Sequence, residues 1–132
     1  FACTAFGRRM LDRGEGAIVN ISSLATHTGW ARAAAYSASK WGVTGITQSF
    51  AAEWGEGGVR VNAIAPGFFL TDLNREKMPE ERKAEARKRN AMKRMGELPE
   101  LVGAAVYLAS DAARFVSGAT IRVDGGYLSS GI

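Results

Sequence analysis

The chain has little of what would mark a secreted, metal-binding or membrane protein. It has one cysteine, Cys3, among 132 residues, so no disulfide can form within it and no metal set can be built on cysteines. A reducing, cytoplasmic setting is the expectation. No apolar run approaches the roughly 20 residues needed to span a bilayer. The beginning carries neither the charged start nor the cleavage pattern of a signal peptide. It opens at Phe1 without an initiating Met and reads as a helix already under way, with no N-cap residue ahead of it. A Gly-x-Gly-x-x-Gly fingerprint is missing too. Gly14 and Gly16 are followed by Val19, and Gly55 and Gly57 by Arg60, so these glycines read as helix terminators. There is no internal repeat, low-complexity tract or interdomain linker. Acidic residues are fewer than basic ones, 13 against 17, which leaves a net charge of +4. Much of the basic character lies between Arg75 and Arg94, interrupted by Glu76, Glu80, Glu81 and Glu85. That segment holds no aromatic residue, so a solvated helix face is favoured over a nucleic-acid surface.

What remains is ordinary globular composition, 46% hydrophobic and 23% charged, which fits one domain or a large piece of one. The first helix stops at Gly14-Glu15-Gly16. Residues 17–22, rich in β-branched types, are short enough to predict a buried strand. Residues 23–33 read as loop. Residues 34–54 carry a long helix, with Val43, Ile46, Phe50 and Trp54 at helical spacing. Residues 59–65 are a second buried strand, broken by Pro66-Gly67. Residues 68–78 are loop or short helix. Pro79 opens a charged helix to about Asn90, residues 98–110 are another helix, and residues 119–123 form a third strand closed by Asp124-Gly125-Gly126. Strands alternating with helices predict an α/β fold with a parallel sheet covered on both faces.

The chemistry concentrates at one edge of that sheet. Ligands of open α/β sheets sit outside the carboxyl ends of the strands. Ser23 stands at one such end and Pro66-Gly67 at another, and Tyr36 and Lys40 begin the helix that leaves the Ser23 loop. An ordinary phenol is a poor base at neutral pH. A cation one helical turn away favours the phenolate by roughly 3 kcal/mol, for charges about 5 Å apart at an effective dielectric near 20. Tyr36 is then suited to general acid–base chemistry on an alcohol or carbonyl, and Ser23 can donate a hydrogen bond to the same substrate oxygen. The accompanying hydride transfer needs a nicotinamide, because no side chain supplies that redox step. Taken singly, each feature has a plainer reading: Ser22 and Ser23 as turn serines, Pro66-Gly67 and Asp124-Gly125-Gly126 as turns, a Tyr and Lys four apart by chance. His27, four residues beyond Ser23, is as well explained by a loop position as by a substrate pocket.

The ordered set resembles the C-terminal half of a short-chain dehydrogenase/reductase. It comprises Asn20-Ile21-Ser22-Ser23, Tyr36-Ser37-Ala38-Ser39-Lys40, Arg60-Val61-Asn62-Ala63-Ile64-Ala65-Pro66-Gly67, Val116-Ser117-Gly118-Ala119 and Val123-Asp124-Gly125-Gly126. The resemblance implies a partial, Rossmann-like, doubly wound domain over residues 1–132. It implies NAD or NADP as cofactor and a small alcohol or ketone as substrate. By position, Ser23 matches the substrate-orienting serine and Tyr36 the catalytic acid–base. Lys40 matches the lysine that tunes the tyrosine and bonds the nicotinamide ribose. Pro66 and Gly67 match the turn against the nicotinamide, Phe69 the residue whose backbone meets the carboxamide, and Thr71 a hydroxyl contact to the cofactor. The charged segment after Leu73 matches the variable substrate lid. The helix from Tyr36 matches one that pairs between subunits, through Ala38, Gly42, Gly45 and Ser49, so a homo-oligomer, dimer or tetramer, is expected.

The family's glycine-rich loop, NAD/NADP selector, Asn-Asn-Ala-Gly stretch and catalytic asparagine belong upstream of Phe1. The strand at Ala17 is therefore expected to be an apolar edge, and the 132-residue chain alone to bind dinucleotide weakly and turn over poorly. The loop 66–74 and the end, residues 126–132, resemble the gluconate 5-dehydrogenase-like sugar-acid and polyol branch most. A 3-oxoacyl-[acyl-carrier-protein] reductase shares nearly every motif, and a non-catalytic interaction module that kept the fold is the alternative of another class.

Overall fold

In a computed structural model, which describes residues 2–130, the three apolar runs form parallel strands in the order β1-β2-β3. They are β1 (Gly16–Ile21), β2 (Val59–Pro66) and β3 (Thr120–Val123). β1 and β2 pair from Gly16 with Val59 to Ile21 with Ile64, and β2 and β3 from Ala63 with Thr120 to Pro66 with Val123. Parallel neighbours need crossovers. Helix α2 (Ala34–Trp54) supplies the first, and the helices α3 (Asp72–Lys77), α4 (Glu80–Arg89) and α5 (Val102–Ala109) lie within the second. Helix α1 (Ala2–Arg13) precedes β1; the expected start of this helix at Phe1, and Gly131-Ile132 at the other end, lie outside the described residues. Among the described residues no helix is long and apolar enough to cross a membrane.

Alternation along β2 sorts the two faces. Val59 and Val61 are fully buried and pack with Trp54, against which Met10, Leu11, Ile18 and Phe50 close. On the other face Arg60 donates to the carbonyls of Leu108 and Ser110 at 2.7 and 3.2 Å, closing the end of α5. Asn62 donates to the Val116 carbonyl at 2.8 Å and accepts from the Ala119 N–H at 3.0 Å. The polar residues of this strand are thus stitches to the segment that leads into β3.

Four local readings change. β1 is half-buried and not fully buried, because in this sheet it pairs with β2 alone; its last residue, Ile21, is exposed. This is the apolar edge expected of the strand at Ala17. The buried face of α2 runs through Thr44, Thr47 and Trp54, and Ile46 is turned out, because Trp54 packs on Val59 and Val61 of β2 while the two threonines bond to Ser22 and Asn20. The helix expected over 98–110 begins as a 3₁₀ turn, Leu98–Leu101, before α5. Pro99 has no N–H to give, and Glu97 and Glu100 close a reciprocal capping box around that turn. The loop 23–33 contains a 3₁₀ turn, Leu24–Thr26.

Candidate active site

The strand β1 and the helix α2 run in opposite directions and are joined by polar rungs. Asn20 Nδ2 donates to Thr47 Oγ1 at 3.0 Å, and the Ser22 and Thr44 hydroxyls lie 3.0 Å apart. Lys40 Nζ donates to the Ile21 carbonyl at 3.0 Å. From Asn20 to Ser22 the chain moves up the strand while its threonine partner moves back along the helix, from Thr47 to Thr44. The first turns of α2, which carry Tyr36, therefore reach the carboxyl end of β1.

Ser23 follows immediately and is buried. Its backbone is extended and its Oγ accepts from the Ala25 N–H at 3.2 Å, capping the 3₁₀ turn. The Ser23 carbonyl accepts from the Thr26 hydroxyl at 2.7 Å, which closes the turn from the other side. A hydroxyl that accepts still has its proton to donate. Tyr36 is half-exposed. Its ring stacks on Trp30 at 6.4 Å between centroids, and Lys40 Nζ lies 5.9 Å from its centroid. Among the described residues no hydrogen bond joins Ser23 to Tyr36. His27 caps the end of the 3₁₀ turn and is exposed.

The second group lies beyond β2. Pro66 ends the strand, and the Gly67 N–H donates to the Val123 carbonyl at 2.9 Å. A Cβ on Gly67 would stand 2.7 Å from Asp124 Cα, so this position is tied to the backbone of the β3 exit. Asp124 in turn accepts from the N–H groups of Gly126 and Leu128 at 2.9 and 3.1 Å, and Gly125 and Gly126 both have positive φ, which makes glycine the residue of choice there. Phe69 is buried against Gly96 in an isolated parallel bridge. Thr71 Oγ1 accepts from the Asn74 N–H at 3.1 Å and caps α3. Phe68 joins the two groups, stacking on Trp30 at 5.6 Å and 10°.

The site thus gathers Lys40 with Tyr36 and with the strand end that leads to Ser23, and gathers Pro66, Gly67, Phe69 and Thr71 in one loop beside them. Its free donors are countable. Lys40 has three N–H groups and spends one on Ile21. Thr71 and Ser23 each keep an O–H. The Phe69 carbonyl already accepts from the Thr71 N–H and Asn74 Nδ2, at 3.0 and 2.8 Å. Its bridge to Gly96 uses the Phe68 carbonyl and the Leu70 N–H, which leaves the Phe69 N–H unspent there. Donors of this kind fit ribose hydroxyls and an amide carbonyl, so the residues present fit the nicotinamide end of a dinucleotide.

Sequence spacing missed Trp30, Thr44 and Thr47. Two polar residues alternating in an apolar strand, Asn20 and Ser22, opposite threonines three apart on a helix, were the signal for the rungs. A single tryptophan in a loop of small residues was the signal for the stack.

A family model described as enoyl-(acyl carrier protein) reductase matches residues 1–128. The chain is 45% identical over 125 residues to D-threitol dehydrogenase of Mycolicibacterium smegmatis, covering 95% of this chain and 48% of that protein. It is 45% identical over 124 residues to 2-dehydro-3-deoxy-D-gluconate 5-dehydrogenase of Bacillus subtilis, covering 93% and 49%. The crystal structure of a gluconate 5-dehydrogenase from Burkholderia cenocepacia, in complex with NADP and tartrate, superposes with a TM-score of 0.93 at 38% identity, over 98% of this chain and 51% of that one. The chain spans about half the length of the curated relatives it matches. With the Ser, Tyr and Lys positions in order on a parallel α/β sheet, it belongs to the short-chain dehydrogenase/reductase family.

Proposed function

We propose that the intact protein is an NAD(P)-dependent dehydrogenase that interconverts a secondary alcohol and a ketone on a sugar acid or polyol. The observation that carries this is the double placement of Lys40, at 3.0 Å from the end of β1 and 5.9 Å from the Tyr36 ring. A bound nicotinamide supplies the hydride acceptor or donor. The chain's own groups do the rest. Tyr36 takes the proton from the substrate hydroxyl at its phenolic oxygen, or returns it to the carbonyl oxygen. Lys40 holds its ammonium beside the Tyr36 ring and offers its remaining N–H groups to the ribose. Ser23 donates to the substrate oxygen and holds it for Tyr36. Pro66 and Gly67 form the turn against the nicotinamide, and Thr71 and the Phe69 backbone add polar contacts to it. The relatives named for threitol and for a dehydro-deoxy-gluconate support the substrate class.

Residues 1–132 are then the C-terminal part of one dinucleotide-binding domain, in a cytoplasmic protein that assembles as a dimer or tetramer through α2. Ala38, Gly42, Gly45 and Ser49 are all exposed on that helix, and a Cβ at Gly42 or Gly45 would meet nothing within 4 Å. Light scattering on the intact protein tests the assembly; a monomer at micromolar concentration removes it.

Tyr36→Phe tests the chemistry. Hydride transfer should fall by at least about 100-fold, the usual scale of a lost acid–base group, while cofactor affinity stays within about twofold. Wild-type turnover in that variant would remove Tyr36 from its role. A second reading, reduction of an acyl chain on a carrier protein, draws on the description of the matching family model and on the basic segment Arg75–Arg94. Turnover of 3-oxoacyl thioesters in preference to sugar acids and polyols would select it.

A further inference from the structure

An open cleft of about 580 Å³ lies between the loop 28–33 and the exposed face of α4. Three arginines line it. Arg82 and Arg89 come from one face of α4, two turns apart, and Arg32 comes from the loop opposite. Arg32 has φ 62°, a conformation that residues with side chains seldom adopt and that clusters at functional sites. Among the described residues none of the three forms an ion pair. Other arginines of the same region do: Arg75 with Glu97, Arg87 with Glu80, and Arg94 with Glu100. Among the described residues the only acidic side chain lining the cleft is Glu85, one turn from Arg82 and from Arg89. Three cations against one anion leave the cleft electropositive.

The cleft also has an aromatic wall, and that wall leads to Tyr36. Arg89 sits over the Tyr127 ring at 4.7 Å. Tyr127 meets Phe68 at 5.1 Å, Phe68 stacks on Trp30, and Trp30 stacks on Tyr36. An arginine held on an aromatic face keeps its planar edge for an anion. Trp30, which lines the cleft, is also the ring that stacks on Tyr36, so the cleft and the phenol share one wall.

We propose that this cleft is the anion end of the substrate site, and that Arg82 and Arg89 make the protein prefer hydroxylated carboxylates to neutral polyols. A guanidinium offers two parallel N–H groups that match a carboxylate's two oxygens. Glu85 accepts hydrogen bonds from the hydroxyls beside that carboxylate and repels a second negative charge, which disfavours a phosphate dianion. This specificity rests on the reading of Tyr36 as the reacting end.

The test uses the intact protein with D-gluconate, its neutral counterpart D-glucitol, and D-glucose 6-phosphate. The kcat/KM ratio of gluconate to glucitol should exceed ten in wild type. It should fall at least tenfold in the double variant Arg82→Gln/Arg89→Gln, through KM more than kcat. Arg82→Lys should keep more of the ratio than Arg82→Gln. Lys88→Gln, which removes the same charge at an α4 position outside the cleft, should leave the ratio within twofold. Direct titration of gluconate, followed by NMR, should show the same loss of affinity in the double variant without any turnover. A ratio near one in wild type, equal losses in Lys88→Gln, or tighter binding of the phosphate overturns the proposal. Turnover that fails with both substrates while gluconate still binds through the arginines would sink the dehydrogenase reading and leave the anion site standing. Turnover that persists with no arginine dependence would do the reverse.

Discussion

Lys40 Nζ donates to the carbonyl oxygen of Ile21 at 3.0 Å, which pins a cation on α2 to the last residue of β1. The bond does two things at once. It satisfies the carbonyl of the last residue in the β1–β2 register, and it holds the ammonium 5.9 Å from the Tyr36 ring. Replacing Lys40 with Met removes both. Turnover of the intact enzyme should drop by about 100-fold or more, and cofactor affinity should weaken as well, in contrast to Tyr36→Phe. Parallel measurement of single-turnover hydride transfer and cofactor Kd separates the two effects. A Lys40→Met protein that binds cofactor at full strength would show that the lysine serves the tyrosine alone.

Thr47 is fully buried, accepts from Asn20 and donates to the Val43 carbonyl at 2.8 Å. Thr47→Val keeps the volume and removes the hydroxyl, leaving the Asn20 amide without its partner. A buried group left unpaired costs about 1–3 kcal/mol, and because Asn20 is half-buried the lower part of that range applies. Urea unfolding should report a loss of that size. Lys40 and Tyr36 lie on the same helix, so kcat should decline with it if this rung sets the helix's register on β1.

Much of this fold was legible because its strands are short β-branched runs bounded by glycine and proline. β1, β2 and β3 fall within a residue of the expected limits, and Tyr36 and Lys40 fall on the first turns of α2 as their spacing required. The features that escaped depend on distant partners. Ile46 fits an apolar stripe by spacing, but Thr44 and Thr47 bond to β1 and turn it out. The split at residue 101 is the local exception: it follows from the capping box of Glu97 and Glu100, whose Glu100 is also held by Arg94. The Trp30 stack joins residues from two loops, and no local periodicity encodes it.

Asn62 is another case in which a family motif residue is a stitch. It is almost fully buried and holds the Val116 carbonyl and the Ala119 N–H, the two ends of the turn before β3. Asn62→Ala strands both groups and opens a small void. The expected cost is about 2–4 kcal/mol by denaturant unfolding, from two unpaired buried groups at about 1–3 kcal/mol each with partial relief by water. A loss under about 0.5 kcal/mol would mean that the turn finds other partners.

Acid should loosen the segment between α4 and α5 from one identifiable point. Glu100 accepts from Arg94 at 2.7 and 2.5 Å and from the Glu97 N–H at 2.8 Å. The Arg94 hydrogen bond first, and the backbone bond second, hold its pKa down to about 2 from the ordinary value of 4.5. A folded-state value below the unfolded one means stabilisation that is complete above about 4.5. It is lost as pH falls toward about 2, because protons then bind the unfolded chain more readily. The same arginine also donates to the Met95 carbonyl, next to the Gly96 that bridges Phe69, so the cap and the loop after β2 should open together. Carboxyl-carbon NMR should give Glu100 the low midpoint, and Phe69 ring resonances should shift over the same interval. In Glu100→Gln that part of the acid response should vanish. A Glu100 midpoint near 4.5, or Phe69 signals indifferent to its titration, would show the two to be independent.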